Sequence, residues 1–221
     1  AYMNEVLKND LQKVPMLFLG FILLSLGMIL TMKAGLGMSS WGVLHQGIAE
    51  VTIFTFGQVT VILGIIILSL SVLLLKTKVG IGTICNALFI GFIMDFLQEI
   101  ITYEPTAYLE KGILFLAGLF IMTFGRSLYI STRLGPGPRD GIFVGLSRIT
   151  QIDVKYIKPA VELTVLTIGY LLGGTVGLGT LITMLFSGYL VQFYFTKLGF
   201  DPKTEKQRSF KEYLLKKDTL G

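Results

Sequence analysis

Two interruptions in an otherwise apolar chain carry the residue types that could do chemistry. Gly35-Leu36-Gly37 precedes Trp41, His45 and Gln46, and Gly135-Pro136-Gly137-Pro138 precedes Arg139 and Asp140. Glycine and proline break regular helix, so each interruption frees backbone amides and carbonyls. At membrane depth such groups must be buried in protein or line a wet cavity, and the amides that open a helix can receive an anion or a polar solute. The chemistry indicated is binding, by Gly35, Gly37, Trp41, His45, Gln46, Gly135, Gly137, Arg139 and Asp140. Plainer readings stand beside it. Asp140 can simply cap its own helix, Arg139 can be one more charge on the basic face, and His45 reads more readily as an ordinary polar group near the outer interface.

Arg126 and Glu162 stand inside apolar stretches. An ionisable residue there is a functional candidate, although an arginine near an interface can also reach water along its own stem. Their matching depth on neighbouring antiparallel spans predicts an intramembrane ion pair, either structural or gating. Asn86 and Asp95 share the third stretch, with Asp95 near its end and expected to be solvated. Catalysis is not expected: no paired catalytic carboxylates, no nucleophile–base set and no metal cluster can be assembled. A single histidine and a single cysteine, Cys85, exclude a histidine metal cluster and an internal disulfide. No cofactor or metal is therefore expected. The Gly-x-Gly-Thr runs at 80–83 and 177–180 follow no strand and precede no phosphate-binding lysine, so helix packing is their expected role.

These residues must be positioned by membrane helices. Of 221 residues 52% are hydrophobic and 15% charged, the net charge is +5, and the mean hydropathy is +0.72. Soluble domains carry about 25% charged residues, so this composition indicates an integral membrane protein. A spanning helix needs about 20 mostly apolar residues, and six stretches qualify: 14–32, 56–75, 79–101, 112–130, 159–176 and 177–196. The first is too long for the apolar region of a cleaved signal. Segments 40–54 and 138–152 are too short to span and read as short or re-entrant helices. With the N-terminus inside, 16 of the 19 basic residues fall on one side, as the positive-inside rule requires. An eight-span alternative would move Lys76, Lys78, Arg133 and Arg139 outside.

The two parts of the chain also align with each other. An offset of 98 pairs Gly20 with Gly118, Gly27 with Gly125, Leu36 with Leu134 and Gly37 with Gly135. An offset of 97 pairs Gly80-Ile81-Gly82-Thr83 with Gly177-Leu178-Gly179-Thr180, and Gly91 with Gly188. Three spans per unit is an odd number, so the second unit enters from the opposite face. The expected fold is all-α and integral to the membrane: six transmembrane helices as two inverted three-helix repeats, each with a short interrupted or re-entrant helix. The expected segments are a cytoplasmic start at 1–13, repeats at 14–102 and 112–196, and a basic cytoplasmic tail at 197–221. Inverted repeats with paired interrupted segments are a device of secondary transporters.

Lys33-Ala-Gly-Leu-Gly37 with Trp41-Gly-Val-Leu-His-Gln-Gly47, and Arg133-Leu-Gly-Pro-Gly-Pro-Arg-Asp-Gly141 after Leu128-Tyr129-Ile130, carry a family resemblance. Together with Glu162-Leu-Thr-Val and the run 172–180, they resemble the YczE/YyaS-type bacterial integral membrane proteins over about residues 15–196. The resemblance implies a bacterial membrane protein and supports fold and location more than activity. The family's first turn commonly reads Pro-Trp-Asp, where this chain has Ser40-Trp41-Gly42. Charge recognition is therefore expected mainly from the second half.

The function expected is a small secondary transporter or exporter of a small polar or organic solute in the bacterial plasma membrane, with both termini cytoplasmic. The alternatives are a substrate-binding membrane subunit of a larger importer and a non-transporting accessory protein. Expected partners are the lipid bilayer, a small-molecule solute and, as an open option, a second copy of the chain in a homodimer. Nucleic acid is not expected: the basic tail reads as a segment facing anionic lipid.

Overall fold

The computed structural model describes residues 8–74, 79–139, 142, 146, 149–152, 154–201 and 207–209. Among these every regular element is helical and no strand occurs. Seven helices follow in order: α1 Val14–Ala34, α2 Ser40–Val51, α3 Phe56–Leu73, α4 Ile81–Ile100, α5 Tyr108–Ser131, α6 Val154–Leu171 and α7 Leu178–Lys197. The chain is an all-α membrane protein.

Local sequence sets the helix limits. Proline occupies the first turn of α1, where its missing N–H costs nothing, and α1 closes on Gly35 at φ 65°. Thr55 and Gln58 form a reciprocal capping box at the start of α3. Five helices are long and apolar enough to cross a membrane: the one reaching Ala34, then α3, α4, α5 and α7. The fifth expected span, 159–176, is instead α6, displaced five residues toward the N-terminus with Pro159 inside it. Lys155, Lys158 and Glu162 fall in its first half, so its composition is more polar than that of the other five. The expected start of the fourth span at 112 also moves back, to Tyr108.

The centre of the molecule is the antiparallel crossing of α1 and α5. Glycines let the backbones touch: a Cβ at Gly20 would meet Gly125 and Tyr129, and one at Gly27 would meet Gly118 and Met122. Leu17, Phe21, Met28, Phe115, Leu119 and Tyr129 fill the core around this crossing. α4 flanks α1, and α7 flanks α5. At one end Gly179 N donates to Leu36 O, and at the other Gly82 N donates to Leu134 O, each at 2.7 Å. α3 matches α6 in length at an offset of 98, and α4 matches α7 at an offset of 97.

Of the expected tail, residues 197–201 and 207–209 are described, and Gln207 and Arg208 are held on protein. Arg208 Nη1 donates to Asp10 Oδ2 at 2.7 Å, Arg208 N donates to Arg133 O at 2.9 Å, and Gln207 Nε2 donates to Ile130 O at 3.0 Å.

Candidate functional site

The first turn of α2 reaches the interior because the chain leaves α1 at Gly35, dips through 36–39 and only then becomes helical. The dip is held by Gly37, whose φ of 102° favours glycine and whose missing side chain admits Gly177 and Thr180 of the other end of the chain. Gly135 repeats this against Gly80 and Thr83, at φ 129°. Ser39 then caps α2 by accepting from Gly42 N. Of the second short segment, Pro138, Arg139, Ile142, Leu146, Ile149 and Thr150 are described as helical, and Gln151 and Ile152 follow outside the helix. Asp140 lies outside the described residues.

The two segments meet through Arg139. Its guanidinium lies 4.9 Å from the Trp41 ring centroid, a cation–π separation. Nη2 of Arg139 is 3.2 Å from His45 Nε2. A guanidinium only donates, so Nε2 accepts and the imidazole proton sits on Nδ1. That proton goes to Thr60 Oγ1 at 2.8 Å, and Thr60 in turn donates to Phe56 O at 2.9 Å. His45 is therefore neutral and only 1% exposed. This corrects the reading of His45 as a polar group near the interface. It links the second segment to α3.

Arg126 and Arg139 stand between two chambers, each lined also by Leu24 and Met28. The larger, about 100 Å³, adds Ser39, Ser40 and Trp41 of α2, Lys158 and Glu162 of α6, and Thr183, Ser187 and Gly188 of α7. It lies between α6 and α7, which do not pack along each other. The smaller, about 60 Å³, adds Thr60, Asn86, Tyr129, Gly137 and Pro138. Thus Trp41, Arg139 and Gly137 are at the cavity, and His45 stands directly behind Arg139.

The remaining candidates are elsewhere. Gly37 and Gly135 serve packing. Gly35 and Gln46 line a wide groove of about 550 Å³ beside Lys33, Glu50 and Glu104. There Gln46 Oε1 accepts from Thr175 N at 2.9 Å. The expected Arg126–Glu162 pair is not formed. The two residues face the same chamber, but Glu162 Oε1 is 4.0 Å from Lys158 Nζ, and Arg126 has no hydrogen-bond or ion-pair partner among the described residues. Asp95 is likewise not simply solvated. Its carboxylate accepts from Gly57 N at 2.8 Å and from the Thr55 hydroxyl, across the start of α3. Sequence reading gave Thr183, Ser187 and Thr60 no role. Hydroxyls in apolar helices usually bond their own backbone, and nothing in the local pattern distinguishes those that face a cavity.

Residues 11–196 match a family of unknown function, DUF6198. An uncharacterized protein of Haemophilus influenzae is 34% identical over 185 residues, 82% of each chain. The uncharacterized membrane protein YczE of Bacillus subtilis is 31% identical over 177 residues, 80% of this chain and 82% of its own. The uncharacterized protein YyaS of Bacillus subtilis is 25% identical over 178 residues, 80% of this chain and 89% of its own. No solved structure matches the chain.

Proposed function

The chain belongs to the DUF6198 family of unknown function, and from that premise we propose that it is a small secondary transporter or exporter of a small polar or organic solute. It would be built as two inverted three-helix repeats with six spans, α6 being the sixth. The support for the repeat is reciprocity: Gly20 meets Gly125 while Gly27 meets Gly118, and these pairs exchange under the offset of 98. The bonds Gly179 N to Leu36 O and Gly82 N to Leu134 O exchange in the same way. A two-fold axis in the membrane plane produces such pairs.

The observation that carries the transport reading is the chambered cavity at the junction of the two short segments, with Arg126 and Arg139 between its parts. Solute enters between α6 and α7, from the face that holds Lys158 and, by the positive-inside rule, the cytoplasm. The opposite approach is closed where His45, Phe56 and Thr60 pack together. Closure of α6 onto α5 would bring Glu162 to Arg126 and form the pair that is open here.

Proteoliposomes containing only the purified chain test this reading against a panel of labelled amino acids, organic acids, sugars and amines. Uptake of at least one class is expected. Uptake of none, with copurification of an ATPase, would replace the reading with that of an importer subunit. Single cysteines at Thr106 and Lys206 in a Cys85→Ser background test the orientation in intact cells. External labelling of Thr106 alone is expected, and labelling at 206 would reverse it.

A further inference from the structure

We propose that the ligand of this cavity is a small organic anion, a carboxylate with a short apolar body, and that Glu162 is its internal competitor for Arg126. The inference rests on reading the cavity as a solute site. Among the described residues of the larger chamber, Arg126, Arg139 and Lys158 face one carboxylate, Glu162. That carboxylate is only loosely held, at 4.0 Å from Lys158. Arg126 is half-buried in the chamber wall with no anionic partner among the described residues, and its planar fork fits a carboxylate.

A second observation points the same way. Thr183 Oγ1, on a residue 4% exposed, lies in the wall of this chamber with no hydrogen-bond partner among the described residues. A buried hydroxyl is rarely left so, and here it can donate to a ligand oxygen. The start of α2 at Ser40 contributes the positive end of a helix dipole to the same space. Opposite these groups Leu24, Met28 and Met122 form an apolar wall. A simple inorganic ion would leave that wall unused, whereas a short alkyl chain covers it.

Glu162 presents the same chemistry on a tether. With the chamber empty, movement of α6 can seat its carboxylate on Arg126. A solute carboxylate must displace it. Removing the charge of Glu162 should therefore tighten solute binding, the reverse of what is expected for a residue that holds the solute.

Trp41 is the only tryptophan and lies at the site, so its fluorescence in the purified, detergent-solubilised chain reports directly. At constant ionic strength, iodide should quench it several-fold more strongly than caesium. Butyrate should suppress the iodide effect with saturation, and butanol should not. Arg126→Gln, which loses no partner, should bring iodide quenching down to the caesium level. Glu162→Gln should strengthen butyrate competition by about threefold or more. If Arg126→Gln fails to elute as a single species, Arg126→Lys serves instead and should keep iodide quenching while weakening butyrate competition. Equal quenching by iodide and caesium, or no change in Arg126→Gln, would overturn the anion site. Iodide quenching without butyrate competition would overturn the carboxylate assignment, and an unchanged Glu162→Gln would overturn the competitor role. Anion binding without uptake by proteoliposomes would remove the transport reading and leave the site. Uptake of sugars or amines alone, without anion binding, would do the reverse.

Discussion

α3 and α6 match in length at an offset of 98 and pack in opposite ways. α3 lies along α4, with Gly57 against Gly91 and Gly64 against Ala87. A Cβ on Gly91 would collide with Gly57 O. α6 stands away from α7, and Gly188, the counterpart of Gly91, has nothing within 4 Å of a built Cβ. The cause is legible in sequence. The positions on α6 that match Gly57 and Gly64 are Lys155 and Glu162. Small residues let two helices approach closely within a membrane, whereas a charged residue in an apolar seam must find a partner or stay beside water. One half therefore has a sealed seam and the other has a cleft.

The largest effect should come from removing the cation that joins the halves. Arg139→Ala should reduce solute uptake, and butyrate competition at Trp41, more than tenfold while the protein still elutes as a single species. It also leaves His45 Nε2 buried without its donor, an added cost of about 1–3 kcal/mol, so the melting temperature should fall. His45→Ala should cost less activity, because Arg139 keeps its stacking on Trp41. Full uptake by Arg139→Ala would sever the link between the junction and function.

Next come the seams. Gly91→Ala should overpack α3 against α4 and destabilise by about 1–3 kcal/mol, whereas Gly188→Ala should stay within about 0.5 kcal/mol of the parent. Thermal unfolding in one detergent checks both. Equal losses would mean that α6 and α7 are as tightly closed in solution as α3 and α4. Asp95→Ala should cost about 1–2 kcal/mol, since its carboxylate holds both Gly57 N and Thr55 across the sealed seam.

How much of this could be seen in the chain differs by residue. Five expected spans coincide with helices because uninterrupted apolar length is a local signal. Arg139 and Trp41 were legible because a glycine- and proline-rich break in an apolar region marks backbone that must be accommodated. Gly35, Gly37, Gly135 and Gln46 carried the same mark but serve turns, packing and the outer groove. Whether a break lines a cavity depends on what packs across it, and here that is the other end of the chain. His45 departs from its expected interfacial place for a related reason: it has partners on two other segments, Thr60 and Arg139, that let the ring be buried. The α6 boundaries shifted because Lys155 and Lys158 interrupt apolar length without interrupting helix.

The smallest effect tests the places where the halves are alike. Thr83 Oγ1 accepts from Gly80 N at 3.2 Å, and Thr180 Oγ1 accepts from Gly177 N at 3.3 Å. Each closes the first turn of its helix, α4 or α7, and each sits beside the glycine of the other half's turn, Gly135 or Gly37. Threonine to valine keeps the shape and removes the acceptor, leaving one amide without a partner. Thr83→Val and Thr180→Val should therefore each destabilise by about 1 kcal/mol. The two sites share no partner and lie at opposite ends of the α1–α5 crossing, so the double variant should show their sum within about 0.5 kcal/mol. Uptake should not distinguish the two single variants, because neither threonine lines the chambers. If one substitution is silent and the other costly, the two ends are not equivalent. The two-fold relation would then describe the helix order but not the junctions that hold it.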